Sequence, residues 1–234
     1  MIVQYHGLNY NGFQKQNNKN TIQDKLEEAI FTITKEKVTC VGSGRTDAKV
    51  NAYFQPVHFD VEKEINTEKV LYSLNGILPI DIKVLSLIKS DLHARFDAKS
   101  KTYIYKMYIS NVDLPLCANA LRINNNLNFK EMKKFLKLLV GKHDFAGFMA
   151  SGSQVDSTIR TIYKANLVIE KEYLNLHISG NGFLYKMVRN IIGTMLKIGE
   201  GKLNLTEIKP TLFTTFKSTH TAKPEYLYLK DVTY

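Results

Sequence analysis

Along the first hundred positions, short apolar runs typical of strands alternate with apolar residues at the helical spacing of three to four. The short apolar run from Ile2 to Tyr5 predicts a strand. Thr21, with Asp24 three residues later, predicts the start of a helix, because this pairing satisfies the first free backbone amides of a helix. The apolar face of that helix comprises Ile22, Leu26, Ala29, Ile30 and Ile33.

The alternation of strands and helices continues to about residue 98. Further strands are predicted at Val38 to Val41, at Gln55 to Phe59, and around Ile82, Val84 and Leu85. A second helix is predicted with Thr67 as its N-cap and with Val70, Leu71 and Leu74 on its buried face. Two strand–helix–strand passages of this kind predict an α/β arrangement with helices on one face of a sheet.

A similar order of elements begins again near residue 99. Thr102 to Ile109 alternates strictly, with Tyr103, Tyr105 and Met107 on one side, and predicts a strand. Helices are predicted from an Asn128 cap through Val140 and over Lys186 to Ile198, and strands over Tyr163 to Ile169, Tyr173 to Ser179 and Tyr226 to Val232. We therefore divide the chain into an N-terminal α/β half, residues 1–98, and a C-terminal α/β half, residues 99–234.

Composition narrows the class of protein. No apolar run reaches the length of a membrane span, and Met1 leads into Ile2 without the basic segment of a signal peptide. Cys40 and Cys117 are isolated, so neither a disulfide framework nor a Cys-based metal site is indicated, and no two of the six histidines have metal-ligand spacing. We expect a cytoplasmic protein that binds neither membrane nor metal.

The net charge of +10 is concentrated in the second half. Residues 1–98 contain 12 Lys and Arg and 12 Asp and Glu, whereas residues 99–234 contain 20 and 10. This asymmetry favours a polyanionic partner, with nucleic acid ahead of membrane. One face of the Asn128 helix carries four lysines, Lys130, Lys133, Lys134 and Lys137. They could bind the phosphates of a nucleic acid, but a solvated helix surface has the same pattern, so both interpretations stay open.

The segment Gly44 to Ala48, Gly-Arg-Thr-Asp-Ala, is the first candidate for chemistry. Arg45 and Asp47 are two residues apart in extended chain and therefore share a face. A guanidinium near a carboxylate favours the ionised acid, which is available as a nucleophile. The alternative is an Asp that caps a turn, with an exposed ion pair worth about 0–1 kcal/mol. Spacing alone leaves both interpretations open.

Arg189 is the second candidate. It lies at the edge of the apolar stripe that Val188, Ile191, Ile192, Met195 and Leu196 form on the predicted Lys186 helix. An arginine there either extends its charged end to solvent or clamps a carboxylate or phosphate with two hydrogen bonds.

The sequence contains no P-loop, no nucleophile elbow and no glycine-rich dinucleotide motif. The enzyme classes that depend on these motifs are therefore not indicated.

Taken together, these segments resemble the tRNA pseudouridine synthase A (TruA) family, and the resemblance covers essentially the full chain. Gly44 to Ala48 is similar to the catalytic signature of that family. The other shared motifs follow in order: Tyr10, Gly12 and Gln14; Leu78-Pro79 before Asp81-Ile82; His93-Ala94-Arg95-Phe96; Lys101 to Tyr105; Gly141 through Phe145; Arg160-Thr161-Ile162; Phe183; Met187 to Gly193; and Leu227-Tyr228-Leu229.

The resemblance implies a fold, a substrate and an assembly. The fold would be the pseudouridine synthase fold, in which two ferredoxin-like halves join into one extended, mainly antiparallel sheet with helices on one face and a central cleft. The enzyme would be a homodimer that isomerises uridine to pseudouridine at positions 38–40 in the anticodon stem-loop of tRNA, without a cofactor. One tRNA could contact both subunits.

The resemblance also implies roles for individual residues. Asp47 would be the catalytic carboxylate, attacking either the sugar or the base. Arg189 would pair with Asp47, and Tyr103 would stack on the flipped uracil and accept the C5 proton. Arg45 would displace the base from its stack. The remaining substrate-binding residues would be Leu227, packed against the uracil, together with Phe183 and Lys49.

Several positions depart from the family pattern. Lys49 and Asn51 stand where the family usually has Gly and His, and Tyr226 replaces a Gly. Phe13 and Lys101 replace Trp and Arg, and these changes preserve bulk or charge. Two alternative functions follow: a catalytically weakened tRNA-binding or folding protein on the same scaffold, or a related synthase that acts at another RNA position.

Overall fold

The structure is a computed structural model that describes residues 1–17, 20–152 and 155–234. Its strands are β1 (Ile2–Tyr5), β2 (Val41–Gly42), β3 (Asn51–His58), β4 (Ile82–Ser86), β5 (Ser100–Ile109), β6 (Leu121–Ile123), β7 (Gly141–Asp144), β8 (Ile159–Glu170), β9 (Tyr173–Gly180) and β10 (Leu227–Thr233). Its α-helices are α1 (Ile22–Thr34), α2 (Thr67–Ile77), α3 (Phe129–Leu138), α4 (Met187–Gly199) and α5 (Leu205–Ile208). The chain forms two compact units, one of residues 1–99 with 228–234 and one of residues 100–227.

The first unit is built on a sheet with the strand order β4-β1-β3-β10. β1 runs antiparallel to both β3 and β4, and β2 adds a short antiparallel pairing to β3. β10 pairs in parallel with β3, which places Tyr228 opposite Asn51 and Leu229 opposite Ala52. The helices α1 and α2 bury Ile22, Leu26, Ile30 and Leu74 completely. These side chains repeat at helical spacing, so one face of each helix is removed from water.

Local signals explain where these elements begin. Thr21 is the N-cap of α1, and its side chain accepts a hydrogen bond from the Asp24 amide at 3.2 Å, as predicted. For α2 the prediction was wrong by one residue: Asn66 is the N-cap, and its Oδ1 accepts from the Lys69 amide at 3.0 Å. Asn caps a helix at least as well as Thr, so Thr67 becomes the first helical residue.

The strand predicted over Val38 to Val41 was also wrong. Only Val41 and Gly42 pair with β3, opposite His58 and Val57. The amide of Cys40 instead donates to the Glu27 carboxylate of α1 at 3.0 Å. A side chain thus satisfies a backbone donor that a longer strand would have used.

The second unit is built on a sheet with the order β5-β9-β8-β7, in which neighbouring strands are antiparallel. β6 pairs in parallel with the C-terminal end of β5, with Leu121 opposite Met107. Helices α3 and α4 contact one another, and their buried residues include Met132, Phe135, Ile191 and Met195. A Cβ on Gly193 would overlap the carbonyl of His220, so only glycine lets the segment containing His220 cross α4 this closely.

Element ends in the second unit differ slightly from the predictions. Asn128 caps α3 as predicted, but the helix ends at Leu138, shortly before Gly141 adopts a φ of 121° and starts β7. β8 begins at Ile159, earlier than predicted, because its first residues pair with β7. The α/β class with mainly antiparallel strands is confirmed. No helix in the described residues is long and apolar enough to cross a membrane.

Candidate active site

Residues 43–50, which we call the Asp47 loop, connect β2 to β3 in the first unit. Their burial alternates: Ser43, Thr46 and Val50 are buried, whereas Arg45 is exposed and Asp47 is half-buried. The loop therefore has an inner set of anchoring residues and an outer set that includes the candidate carboxylate. The contacts of the inner set determine how firmly Asp47 is held.

Gln55 on β3 fixes the start of the Asp47 loop. Its side chain is fully buried, its Oε1 accepts from the Ser43 hydroxyl at 2.8 Å, and its Nε2 donates to the Gly44 carbonyl at 2.6 Å. The Ser43 amide donates to the Pro56 carbonyl at 2.9 Å. Buried polar groups that are satisfied in this way rigidify a site, because losing one partner would leave the other unpaired.

Thr46, the residue before Asp47, is held from two other elements. Its Oγ1 shares a hydrogen bond of 2.7 Å with the hydroxyl of Tyr5 on β1. Its carbonyl accepts from the Phe13 amide at 3.1 Å. Gly12 has a φ of 96°, and a Cβ there would lie 2.7 Å from the Thr46 carbonyl oxygen. Glycine is therefore required at position 12 for residues 6–17, which follow β1 and which we call the first loop, to reach the Asp47 loop.

The chain turns sharply after Asp47. The Val50 amide donates to the Asp47 carbonyl at 3.1 Å, and Lys49 has a φ of 65°. The Lys49 amide donates to the Tyr10 carbonyl at 3.1 Å, so this conformation is held by the first loop. A non-glycine residue in the left-handed region is strained by about 1–2 kcal/mol. Position 49 therefore has the backbone conformation that favours the Gly of the family pattern, and this chain places a lysine there.

Asn51 supports the same turn from inside. It is 1% exposed, and its Oδ1 accepts from the Gly7 amide at 2.8 Å. A Cβ on Gly7 would overlap the Val50 carbonyl, so the first loop approaches the Asp47 loop as closely as backbones can. Tyr10 in the first loop is fixed in turn, because its hydroxyl donates to the Asp81 carboxylate at 2.6 Å.

In the second unit, the structure brings Tyr103 and Phe183 together. Tyr103 lies on β5 and is buried, and its ring meets that of Phe183 edge to face at 5.4 Å between centroids and 85° between planes. A Cβ on Gly180 would lie 2.7 Å from the Thr161 carbonyl and 3.4 Å from the Phe183 ring. Glycine at the end of β9 thus leaves room for Phe183. Leu227, another predicted substrate contact, is buried at the start of β10.

Arg189 lies in the first turn of α4 and is half-buried. Its Nε donates to the Ala222 carbonyl at 2.8 Å, and the Ala222 amide donates to the Arg189 carbonyl at 3.0 Å. The guanidinium is therefore oriented by protein backbone. This arrangement favours the clamp over a side chain that extends freely into solvent, since a planar guanidinium fixed through Nε directs its other N–H groups.

Tyr105, the neighbour of Tyr103 on the same side of β5, has a different environment. Its hydroxyl is buried without a hydrogen-bond partner among the described residues, and its ring is edge-on to Tyr226 at 6.3 Å. Burial first, and then the charges of Glu225 and Tyr226, raise the pKa of Tyr105 above its usual value. Tyr105 therefore stays protonated, as suits a residue with a structural role.

Sequence reasoning did not single out Gln55 or Tyr5 as supports of the site. One signal could have pointed to Gln55, a polar residue between Phe54 and Pro56 at the start of a predicted strand, and no signal in the sequence pointed to Tyr5. Among residues 1–17, 20–152 and 155–234, no three His, Cys, Asp or Glu side chains are placed to hold a metal ion.

Comparison with known proteins gives a consistent result over the whole chain. A family model described as tRNA pseudouridine synthase matches residues 1–97 and 135–234. A protein of Thermoanaerobacter sp. (strain X514), named tRNA pseudouridine synthase A, is 40% identical over 239 residues, which cover 100% of this chain and 98% of the relative. A protein of the same name from Lactococcus lactis subsp. cremoris (strain MG1363) is 40% identical over 242 residues, covering 99% and 95%.

Solved structures give a more distant match. The chain aligns with a chain in the structure of an H/ACA RNP bound to a substrate RNA containing 2′-deoxyuridine, with a TM-score of 0.33 and 15% sequence identity. The alignment covers 84% of this chain and 53% of that one. A likeness this remote supports no conclusion about chemistry.

Proposed function

Because the chain belongs to the tRNA pseudouridine synthase family, we propose that it isomerises uridine to pseudouridine in tRNA, with Asp47 as the essential carboxylate. The observation that carries this proposal is the Asp47 loop. Its anchoring residues are fixed by side chains of β1 and β3 and by the first loop, while Asp47 itself stays partly accessible. A loop held in this way presents a carboxylate in one orientation, which positional catalysis requires.

The reaction explains why a carboxylate is needed. The C–N glycosidic bond breaks, the uracil turns, and a bond forms between its C5 and the same sugar carbon. The C5 proton then leaves, and a proton is taken up at the nitrogen that was released. Product and substrate are isomers, so no co-substrate is consumed. Asp47 either adds to the substrate or stabilises the cation-like sugar while the base turns.

Tyr103, Phe183 and Leu227 supply the surroundings of the uracil in this proposal. Tyr103 stacks on the base and accepts the C5 proton on its phenol oxygen while the hydroxyl's own proton moves on toward the released nitrogen, and Leu227 packs against the base. The edge-to-face contact between Tyr103 and Phe183 supports these roles, because it fixes the ring of Tyr103. The fixed guanidinium of Arg189 is the proposed partner of Asp47.

Arg45 and Lys49 are the proposed substrate contacts on the outer side of the Asp47 loop. Both side chains are exposed, and both flank the carboxylate in sequence. Arg45 displaces the target base from its stack, and Lys49 binds a neighbouring phosphate. The expected site is the 3′ side of the anticodon stem-loop, at tRNA positions 38–40, as the family resemblance implies.

The charge distribution supports tRNA as the partner, since the entire positive excess lies in residues 99–234. We further propose that the protein acts as a homodimer. We also propose a cytoplasmic location, which agrees with two buried, unpaired cysteines, because thiols persist in reducing compartments.

The test compares the wild type with Asp47→Asn on a tRNA transcript. Pseudouridines are mapped by chemical adduct formation and primer extension. We expect a signal in the anticodon arm with the wild type and none with Asp47→Asn, while both proteins bind the transcript equally and melt at similar temperatures. A signal elsewhere would favour a related synthase with another target. Binding without any signal would favour the tRNA-binding or folding protein, and turnover by Asp47→Asn would remove the carboxylate from the mechanism.

A further inference from the structure

Residues 93–97, which we call the His93 loop, lie between β4 and β5 in the first unit. Two neighbouring side chains of this loop point outward: Phe96 is 76% exposed, and Arg95 is exposed as well. Ala94 between them and His93 is buried. A single exposed apolar side chain is ordinary, but an aromatic ring that a rigid loop presents beside a cation is a candidate contact surface.

The backbone of the His93 loop closes on itself. The His93 amide donates to the Asp97 carboxylate at 2.7 Å, and the Asp97 amide donates to the His93 carbonyl at 3.1 Å. The Nδ1 of His93 accepts from the amides of Arg95 and Phe96, at 3.2 and 3.1 Å. The two outward residues are therefore presented by a turn in which every backbone amide except that of Ala94 is satisfied within the loop.

The loop is also fixed to the rest of its unit. The Ala94 amide donates to Nδ1 of His58 on β3 at 3.1 Å, and the hydroxyl of Tyr234 donates to the Ala94 carbonyl at 2.7 Å. Just after the loop, the Lys99 amide donates to the Thr233 carbonyl at 2.8 Å. His58 of β3 and Tyr234, which directly follows β10, thus hold the amide and the carbonyl of Ala94, and the position of Phe96 is set before any partner arrives.

Three rings contact one another in a row that ends at the surface, with His58 tilted against His93 and His93 stacked on Phe96. The His58 and His93 rings are 4.4 Å apart at 59°, and the His93 and Phe96 rings are 4.3 Å apart at 25°. The Arg95 guanidinium lies 5.7 Å from the centre of the Phe96 ring. A nucleobase could extend such a stack, because every base offers a flat π face, and a guanidinium beside the ring suits the adjoining phosphate.

We propose that Arg95 and Phe96 form a stacking site for an unpaired nucleobase of the RNA substrate, separate from the residues that carry out the isomerisation. This inference rests on the proposed function for the presence of RNA. A second copy of this chain is the competing occupant, since Ile88 and Leu92 just before the loop are also exposed. The guanidinium of Arg95 beside the exposed ring of Phe96 favours RNA as the occupant, because RNA combines flat bases with negatively charged phosphates.

Phe96→Trp gives a direct test, because the chain contains no tryptophan and the variant has a single indole fluorophore. The protein is titrated with a tRNA transcript and with a short single-stranded RNA. We expect the emission to be quenched at saturation as a base stacks on the indole. Tyr72→Trp on α2 is the matched control: Tyr72 is 84% exposed and lies outside the loop, so its emission should change little.

Binding of the same transcript to Phe96→Ala and Phe96→Tyr completes the test. Loss of one stacked base predicts a Kd raised about 5- to 150-fold in Phe96→Ala, with affinity restored in Phe96→Tyr, which keeps the ring. Wild-type affinity of Phe96→Ala, or unchanged Phe96→Trp emission at saturation, overturns the proposal. Emission that changes with protein concentration without RNA also overturns it and assigns the surface to a second copy.

The outcomes separate this inference from the proposed function. Pseudouridine formation by the wild type without quenching in Phe96→Trp removes the stacking site and leaves the function. Quenching by RNA without pseudouridine formation removes the function and leaves an RNA-binding surface.

Discussion

Replacing Lys49 by glycine should make the protein more stable and its binding to tRNA weaker. Lys49 has a φ of 65° in the turn after Asp47, and this conformation costs a non-glycine residue about 1–2 kcal/mol. Glycine removes that strain but adds about 0.4–1 kcal/mol of conformational entropy to the unfolded chain. The free energy of unfolding should therefore rise by roughly 0–1.6 kcal/mol, which corresponds to a Tm increase of up to about 6 °C for a chain of this size.

Affinity for tRNA should change in the opposite direction, because the variant lacks the exposed ammonium that Lys49 carries two residues after Asp47. If Lys49 contacts one phosphate, the slope of log affinity against log salt should become shallower by about 0.7–0.9. Thermal unfolding followed by circular dichroism gives the stability. Filter binding of a tRNA transcript at several salt concentrations gives the slope.

Lys171→Gly is the matched control. Lys171 also has a positive φ, 54°, in the turn between β8 and β9, and its side chain is exposed. This variant should gain stability to a similar extent while binding tRNA as the wild type does. A lower Tm for Lys49→Gly would show that the strain argument is wrong. An unchanged salt slope would show that Lys49 contacts no phosphate.

Three further substitutions test separate parts of the site. Tyr103→Phe should bind tRNA but turn over poorly, and a wild-type single-turnover rate would remove Tyr103 as the proton acceptor. Asn51→His should leave the single-turnover rate nearly unchanged, because imidazole Nδ1 can accept a hydrogen bond from the Gly7 amide as Asn51 does. A large rate increase would instead identify this chain as a weakened enzyme. Gln55→Leu leaves the Ser43 hydroxyl and Gly44 carbonyl without their partner, and should destabilise the protein by about 1–3 kcal/mol in chemical denaturation; unchanged stability would mean that water replaces both contacts.

The parts of the fold that the sequence predicted well are those encoded by neighbouring residues. Thr21 and Asp24 are three positions apart and locate the start of α1, and the alternation around Tyr103 locates β5. The same local rule misplaced the α2 cap by one residue, because Asn66 and Thr67 are both good caps.

The supports of the Asp47 loop could not be predicted in the same way. Tyr5 and Thr46 are 41 positions apart, and Tyr10 and Asp81 are 71 apart. Such contacts depend on which strands become neighbours, and no local period records that. The motif around Asp47 therefore indicated where the chemistry resides, while the means of holding it emerged only from the folded chain.

Because β10 comes from the end of the chain, the first unit cannot complete its sheet until the second unit has been translated. Residues 228–234 complete the sheet beside β3, yet they are translated after all of residues 100–227. At about 5–20 residues per second, the nascent first unit waits on the order of ten seconds for its last strand. Throughout that interval the carbonyl of Ala94 lacks the Tyr234 hydroxyl, and β3 has an open edge where β10 will pair. On the ribosome, the second unit can therefore fold before the first unit is finished.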